Sequence, residues 1–124
     1  MILSEADAQV VAGQAQYIAG GTAAQLAWDE HPPKSLLDAL SLLSTHAPQR
    51  LPDNGLRLPA GYPLERLHQH PLVTLHAPLL AQACRTLASY AVRQLATLGG
   101  NVAWGYGDCL AVLLASQATA LLAD

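Results

Sequence analysis

The sequence predicts an α+β fold in which short strands and packed helices are mixed without regular βαβ spacing. The chain is 52% hydrophobic and only 12% charged, a composition that supports a packed core. Short apolar segments that end in glycine or proline indicate strands, and longer segments with apolar residues every three or four positions indicate helices. The length of 124 residues fits one domain, which we expect in two lobes, about 1–46 and 51–124.

The N-terminal region predicts a helix followed by a strand. Ser4 and Asp7 have the spacing of a capping box, so residues 4–14 are predicted as the first helix. The segment "AQYIAGG", residues 15–21, is predicted as a short buried strand that runs into two glycines.

The segment "HPPKSLLDALSLL", residues 31–43, has leucines with helical period. Ser35 and Asp38 repeat the capping-box spacing, so the pattern predicts a helix. Residues 44–55 are predicted as a loop because they contain prolines and the turn sequence Asp-Asn-Gly.

The remaining segments predict one more strand and several helices. Residues 56–61 alternate as a short strand does, and Pro63 is placed to begin a helix. Residues 76–92 give the strongest helical pattern, and its apolar face consists of Leu79, Leu80, Ala83, Cys84 and Leu87.

At the C-terminal end, a last helix is predicted over residues 108–118, with Asp108 at its start. Residues 119–123 predict a final short strand.

Charge and hydropathy argue against several functional classes. The formal net charge is −3 with six Lys and Arg residues, which does not suit a phosphate backbone, so we expect no nucleic-acid partner. The sequence contains no apolar run of membrane-spanning length and no signal peptide, so we expect no membrane association and a cytoplasmic location.

The metal-ligating residue types do not form a recognisable site. Cys84 and Cys109 lack the close spacing of zinc or iron–sulfur ligands and are predicted as buried free thiols. His68, His70 and His76 cluster in sequence, but the first two do not share a helix face, so we expect surface or helix-end roles for these histidines.

Two glycine pairs are the distinctive motifs of the chain. Gly20 and Gly21 precede Thr22, and a second pair occurs in "TLGGN", residues 97–101. Glycine allows close approach to the backbone, and exposed N–H groups beside a helix N-terminus suit an anion. Neither pair matches the dinucleotide fingerprint or the phosphate-binding P-loop, so the pattern predicts two glycine turns of another type.

Together with their flanking residues, the pairs resemble a known family. "YIAGGTA" and "AVRQLATLGGNVAWGYGDCLAVLLA" are similar to the signature segments of the FAD-binding domain of molybdenum hydroxylases. This is the family of xanthine dehydrogenase medium subunits and carbon monoxide dehydrogenase flavoproteins. The resemblance extends through "LRLPAGYPLERLHQHPLVTLHAPLLAQACRTLAS" and covers the chain from about Ala8 onward. It also makes part of "SLLDALSLL" a strand, where the leucine pattern predicts a helix.

The resemblance implies a two-lobed domain with FAD between the lobes and one glycine motif on each side of the pyrophosphate. It implies an electron-transfer role between an iron–sulfur partner and an acceptor, with the molybdenum cofactor and the 2Fe–2S cluster in partner subunits. It assigns no catalytic residue and no metal ligand to this chain. The cofactor-binding residues that it implies are Ile18, Ala19, Gly20, Gly21, Thr22, Ala23, Thr97, Gly99, Gly100, Asn101 and Asp108.

The sequence also departs from the family pattern. Ala23 replaces the usual polar residue, Gln94 replaces the usual asparagine, and the loop from Asn101 to Asp108 is shortened. Family members continue into a region that contacts the flavin ring, so we expect a truncated form of the domain. The alternative is a degenerate member that no longer binds FAD and serves as a structural or partner-binding domain, in a hetero-complex or a homo-oligomer.

Overall fold

The computed structural model describes residues 15–28, 31–42, 46–105 and 107–121. The predicted first helix, residues 4–14, lies outside this part of the chain, as do the last residues of the predicted C-terminal strand. The strand prediction for 119–123 is wrong for its described residues, since residues 119–121 have no regular structure.

The first sheet contains two parallel strands. Strand β1 (Ala15–Ile18) pairs with β2 (Ser35–Asp38) in register, and the short helix α1 (Ala24–Ala27) lies between them in sequence. A 3₁₀ turn (Ala39–Leu42) follows β2. The strand over 15–18 is therefore confirmed. The helix predicted from the leucine pattern is wrong over Ser35–Asp38, and Ala39–Leu42 forms only a 3₁₀ turn.

Pairing with β1 explains this difference, because the ladder satisfies backbone groups that a helix would satisfy internally. Asp38 then ends the strand, since its Oδ1 accepts a hydrogen bond from the Leu40 N–H at 2.9 Å. The strand that the family resemblance implied for this segment is the structure observed.

A small hairpin forms the second sheet. Strand β3 (Gln49–Arg50) pairs antiparallel with β4 (Leu56–Arg57). The Leu51 N–H donates to the Gly55 carbonyl at 2.8 Å, and Asn54 has a φ of 70°, a turn conformation that asparagine tolerates. The loop predicted over 44–55 therefore contains a short strand, and the strand predicted over 56–61 is confirmed only at its first two residues.

Prolines divide the next segment into three helices. Helix α2 (Leu64–Gln69) begins one residue after Pro63, while α3 (Pro71–His76) and α4 (Pro78–Thr86) each begin with a proline. A proline at the first helical position has a preset φ and lacks only an N–H group that would be unpaired there. Helix α3 was not predicted from the sequence.

The single helix predicted over 76–92 is wrong at its C-terminal end. Helix α4 ends at Thr86, and Ala88 adopts a φ of 51°. Helix α5 (Tyr90–Leu95) then begins after Ser89, whose hydroxyl accepts a hydrogen bond from the Val92 N–H at 3.2 Å. The serine acts as an N-cap, and this local bond favours a new helix over continuation of the old one.

Two further helices complete the described chain. Helix α6 (Leu98–Trp104) ends at Gly105, which has a φ of 82°. Helix α7 (Asp108–Ala115) confirms the predicted last helix and its start at Asp108, although it ends three residues before the predicted end at 118.

The core is formed where α4 packs against both α2 and α7. Leu79 is 65% exposed, so the predicted apolar face of α4 is shifted by one position toward Leu80 and Ala81. The buried core residues are Tyr62, Leu64, Leu67, Val73, Leu80, Ala81, Cys84, Leu98 and Cys109.

Cys84 and Cys109 are buried free thiols, as predicted. Their sulfur atoms lie 3.6 Å apart between α4 and α7. The hydrogen bond with Cys109 and burial together raise the pKa of the Cys84 thiol. Both cysteines thus behave as small apolar residues of the helix interface.

One ion pair connects α2 to α5. Arg93 Nε donates to Glu65 Oε2 at 2.7 Å, and the two side chains are only 14% and 8% exposed. His68 Nε2 lies 3.1 Å from Glu65 Oε1, and Gln69 also donates to that oxygen. The hydrogen bond from Arg93, followed by the weaker effect of His68, lowers the pKa of the Glu65 carboxyl despite the opposing effect of burial.

We expect Leu67→Ala to lower the free energy of unfolding by about 2 to 5 kcal/mol, because Leu67 is fully buried and its truncation leaves a cavity. Chemical denaturation measures this difference. Leu75→Ala is the matched control, since Leu75 is 73% exposed. Equal stability of the two variants would contradict the assignment of the core.

The Glu65 carboxyl should make the free energy of unfolding depend on pH in the acid range. Folding lowers the pKa of this carboxyl below its ordinary value of 4.5. Its contribution to the free energy of unfolding is therefore complete above pH 4.5 and is lost as the pH falls through the lower pKa of the folded state. The difference in unfolding free energy between the wild type and Glu65→Gln should therefore shrink below about pH 4.5. Denaturant titrations in the Arg93→Gln background provide the control, where most of this pH dependence should be absent.

Candidate functional site

The second glycine motif forms a helix start and not the turn that its sequence predicts. Gly99 and Gly100 lie in the first turn of α6. Thr97 is the N-cap, and its Oγ1 accepts a hydrogen bond from the Gly100 N–H at 3.1 Å.

A short antiparallel contact holds this helix start in place. The Leu64 N–H donates to the Ala96 carbonyl at 2.8 Å, and the Leu98 N–H donates to the Tyr62 carbonyl at 3.1 Å. The Gly99 N–H donates to the Ala60 carbonyl at 2.7 Å. We call these hydrogen bonds the 60–64/96–99 contact.

Most N–H groups at the start of α6 therefore already donate hydrogen bonds within the protein. Besides those of Leu98, Gly99 and Gly100, the Asn101 N–H donates to the Thr97 carbonyl at 3.0 Å. Thr97 differs, because it forms an antiparallel bridge with Pro63. This bridge lies between the hydrogen bond of the Leu64 N–H with Ala96 and that of the Leu98 N–H with Tyr62. The N–H group of a residue in such a pair points away from the partner strand, and within the described residues it has no acceptor.

The two glycines of this motif have different roles. A Cβ at Gly99 would lie 2.8 Å from the Cβ of Ala60 and 3.1 Å from its carbonyl oxygen, so the 60–64/96–99 contact requires glycine there. A Cβ at Gly100 would meet only Thr97 Oγ1, at 3.0 Å, and Gly100 is exposed. Gly100 therefore presents an open backbone surface to a ligand.

Asn101 connects α6 to the following helix. Its Oδ1 accepts a hydrogen bond from the Cys109 N–H at 3.2 Å, and its amide fills the space that a Cβ at Gly107 would need. The side-chain nitrogen of Asn101 remains a donor. Asp108 is exposed in the first turn of α7, where a carboxylate is favoured by the helix dipole.

The first glycine motif is a turn between β1 and α1, as predicted. Gly21 has a φ of 70°, and a Cβ there would lie 2.7 Å from Ile18 Cδ1. Ala19 and Thr22 flank the glycines, and the whole turn is half-buried.

Two backbone carbonyls of this turn accept hydrogen bonds from the following residues. The Gly21 carbonyl accepts from Gln25 and the Ala23 carbonyl accepts from Leu26, at 3.3 and 3.1 Å. The N–H groups of Gly20, Gly21, Thr22 and Ala23 find no acceptor in the part of the chain that the structure describes.

The two motifs meet at Gly20. A Cβ at this position would collide with the Leu95 carbonyl and lie 3.1 Å from the Ala96 nitrogen. The first turn therefore rests on the backbone immediately before Thr97. Residues 75 positions or more apart in sequence are thus brought together. The unpaired N–H groups of the first turn belong to half-buried residues and suit an anion, whereas Thr97 is only 3% exposed.

His70 and His76 have the predicted helix-end or surface roles, whereas the side chain of His68 is only 13% exposed and lies against Glu65. His70 Nδ1 accepts the Leu72 N–H at 3.2 Å as the N-cap of α3, and His76 is exposed. Among the described residues, no group of three His, Cys, Asp or Glu side chains is placed to hold a metal ion. No helix in the described ranges is long and apolar enough to cross a membrane.

Sequence reasoning missed the residues that support the site. Ala60 and Tyr62 supply the carbonyls of the 60–64/96–99 contact, and Leu95 supplies the surface under Gly20. Ala60 stands beside Gly61 in "PAGY", and its small size was the sole sequence signal for a close backbone approach.

The chain is similar to known proteins in both sequence and structure. Residues 3–124 match the family described as the FAD binding domain in molybdopterin dehydrogenase. The structure is similar to that of quinoline 2-oxidoreductase from Pseudomonas putida 86, with a TM-score of 0.58 and 28% sequence identity. The similarity covers 77% of this chain and 34% of that one, so the chain spans about a third of this relative.

These matches confirm the predicted family, the α+β fold and FAD as the cofactor of the family. Because the match extends over nearly the whole sequence and includes both glycine motifs, the chain belongs to the FAD-binding domains of molybdopterin dehydrogenases.

Proposed function

We propose that this chain binds the pyrophosphate of FAD between its two glycine motifs and serves as the electron-transfer module of a molybdenum hydroxylase. The observation that carries the proposal is the contact of Gly20 with the Leu95 carbonyl, which places the first turn against the lead-in to Thr97. A pyrophosphate at this junction would be within reach of both motifs.

The donor set fits a diphosphate. The N–H groups of Gly20, Gly21, Thr22 and Ala23 lack acceptors among the described residues, as does that of Thr97. The two glycine motifs contain no lysine and no arginine, so backbone dipoles and the Thr22 hydroxyl would hold the negative charge. Ala23 contributes its N–H group but no polar side chain.

The two motifs would contribute unequally. The first supplies most of the N–H donors, while those of Leu98 to Asn101 already donate to protein acceptors. The second motif would supply the open surface at Gly100 and the Asn101 side-chain nitrogen, because Thr97 itself is only 3% exposed. Ile18 and Ala19 would shape the first turn, and Asp108 would lie toward the nucleotide end of the cofactor.

When bound, FAD supplies the electron-transfer chemistry. This chain would hold the cofactor and orient it, and the described residues supply no acid or base at the junction of the motifs. By similarity to the family, a 2Fe–2S subunit and a molybdenum-cofactor subunit would be the partners, in a xanthine dehydrogenase-like route from the iron–sulfur partner through flavin to an acceptor. The cytoplasmic location stays a prediction.

A second candidate function is that of a structural domain which has lost FAD binding. Two observations favour this function. The N–H groups at the start of α6 already donate to protein acceptors, and Ala23 has no polar side chain. Such a domain would retain the 60–64/96–99 contact as architecture and would bind a partner protein through its surface.

FAD titration with Gly100→Ala distinguishes these functions. Alanine favours a helix over glycine by about 1 kcal/mol, which opposes the cost of its Cβ lying 3.0 Å from Thr97 Oγ1, so we expect the variant to fold. The added methyl group would occupy the open surface at Gly100, and we expect FAD affinity to fall by about tenfold or more. Flavin fluorescence measures binding, and thermal unfolding measures stability.

Gln82→Ala, on the exposed face of α4, is the control and should bind FAD as the wild type does. Competition with ADP and with FMN identifies the bound part, since ADP carries the pyrophosphate and FMN does not. A folded wild type that takes up no FAD, or Gly100→Ala that binds FAD with unchanged affinity, would contradict the proposed site.

A further inference from the structure

We propose that Arg93 is a positioning residue that holds the two glycine motifs at the separation FAD needs, without itself contacting the cofactor. This inference rests on the proposed function for its effect on FAD affinity. Its structural part, the placement of the Leu95–Thr97 backbone under Gly20, can be measured without FAD.

Arg93 joins three separate segments of the chain. Its Nε donates to Glu65 on α2 at 2.7 Å. Its Nη1 donates to the Leu87 and Ala88 carbonyls, each at 3.1 Å, where α4 has ended. A guanidinium group makes such a set of directed bonds because its donors lie in one rigid plane.

Helix α5 has few other means of attachment. None of its residues, Tyr90–Leu95, is buried, and Leu95 is 62% exposed. Val92 and Arg93 are half-buried. A short helix without a buried apolar residue gains little from burial, so the bonds of Arg93 carry much of its placement.

The end of α5 is the surface on which the first glycine motif rests. The Leu95 carbonyl faces Gly20, and the next residue, Ala96, accepts the Leu64 N–H at 2.8 Å. Helix α2 thus holds the C-terminal half of the α5 segment at two points, through the Glu65 side chain and through the Leu64 N–H. Loss of the Arg93 bonds would free one of these two attachments.

A displacement of α5 would affect the site because the end of this helix is close in sequence to Thr97. Thr97 comes two residues after Leu95, so a displacement of α5 would change both the support of Gly20 and the start of α6 at Thr97. Hydrogen bonds weaken steeply with misalignment, and a diphosphate held by backbone donors is sensitive to their spacing. Arg93 would therefore act on FAD through the backbone.

The experiment compares Arg93→Gln with Val73→Ala in the full chain. Val73 is fully buried in α3 and lies outside the glycine motifs, so its truncation provides a loss of stability without a direct effect on them. Arg93→Lys keeps the positive charge but not the planar donor set, and it replaces Arg93→Gln if that variant does not fold. Each variant is measured by thermal unfolding, FAD titration and backbone hydrogen exchange of the FAD-free protein.

We expect Arg93→Gln to weaken FAD binding by about tenfold or more, and Arg93→Lys to have a smaller effect. Val73→Ala should lower the unfolding temperature but leave the affinity of the folded fraction unchanged. In the FAD-free protein, exchange in peptides that contain residues 19–23 and 95–98 should rise in Arg93→Gln and not in Val73→Ala.

Equal FAD affinity of folded Arg93→Gln and Val73→Ala would overturn the inference. Unchanged hydrogen exchange of both peptides in Arg93→Gln would also overturn it. If the wild type itself takes up no FAD, the proposed function and the effect of Arg93 on affinity both fail, and the exchange measurement still decides whether Arg93 positions the motifs.

Discussion

Three backbone hydrogen bonds join residues 60–64 to residues 96–99, and the site depends on their close approach. They set the start of α6 beside α2 and direct the Thr97 N–H to the opposite side. The approach is close enough that Gly99 cannot carry a side chain against Ala60. One glycine of the motif is therefore required by packing, and the other leaves its surface open to a ligand.

Two kinds of contact stabilise this junction, apolar burial in the core and the hydrogen bonds of Arg93. The core between α2, α4 and α7 gives apolar burial, in which the two cysteines take part. Helix α5, which lacks buried residues, is held by the Arg93 bonds to Glu65 and to the end of α4. Apolar burial is non-directional and stabilises the core, whereas the hydrogen bonds of a guanidinium group are directional. The Arg93 bonds therefore fix the position of α5 and with it the spacing of the glycine motifs.

Much of the fold could be predicted from local pattern, and the errors have local causes. Strand β1 and helices α2 and α7 follow from apolar periodicity and from the positions of Pro63 and Asp108. The segment 31–43 was mispredicted because parallel pairing with β1 outweighs its helical leucine pattern. The helix over 76–92 was drawn too long because its periodicity continues across Leu87–Ser89, where a serine cap begins a new helix.

The sequence by itself determined the family and the glycine motifs, because glycine pairs with their flanking residues are a local chemical signature. It also determined that both cysteines would be buried free thiols. Only the tertiary structure decided which N–H groups remain available, since the acceptors Ala60 and Tyr62 are distant in sequence from the donors. It likewise decided that Gly20 lies on Leu95 and that Arg93 reaches Glu65, because contacts between distant residues depend on how the helices pack and not on local pattern.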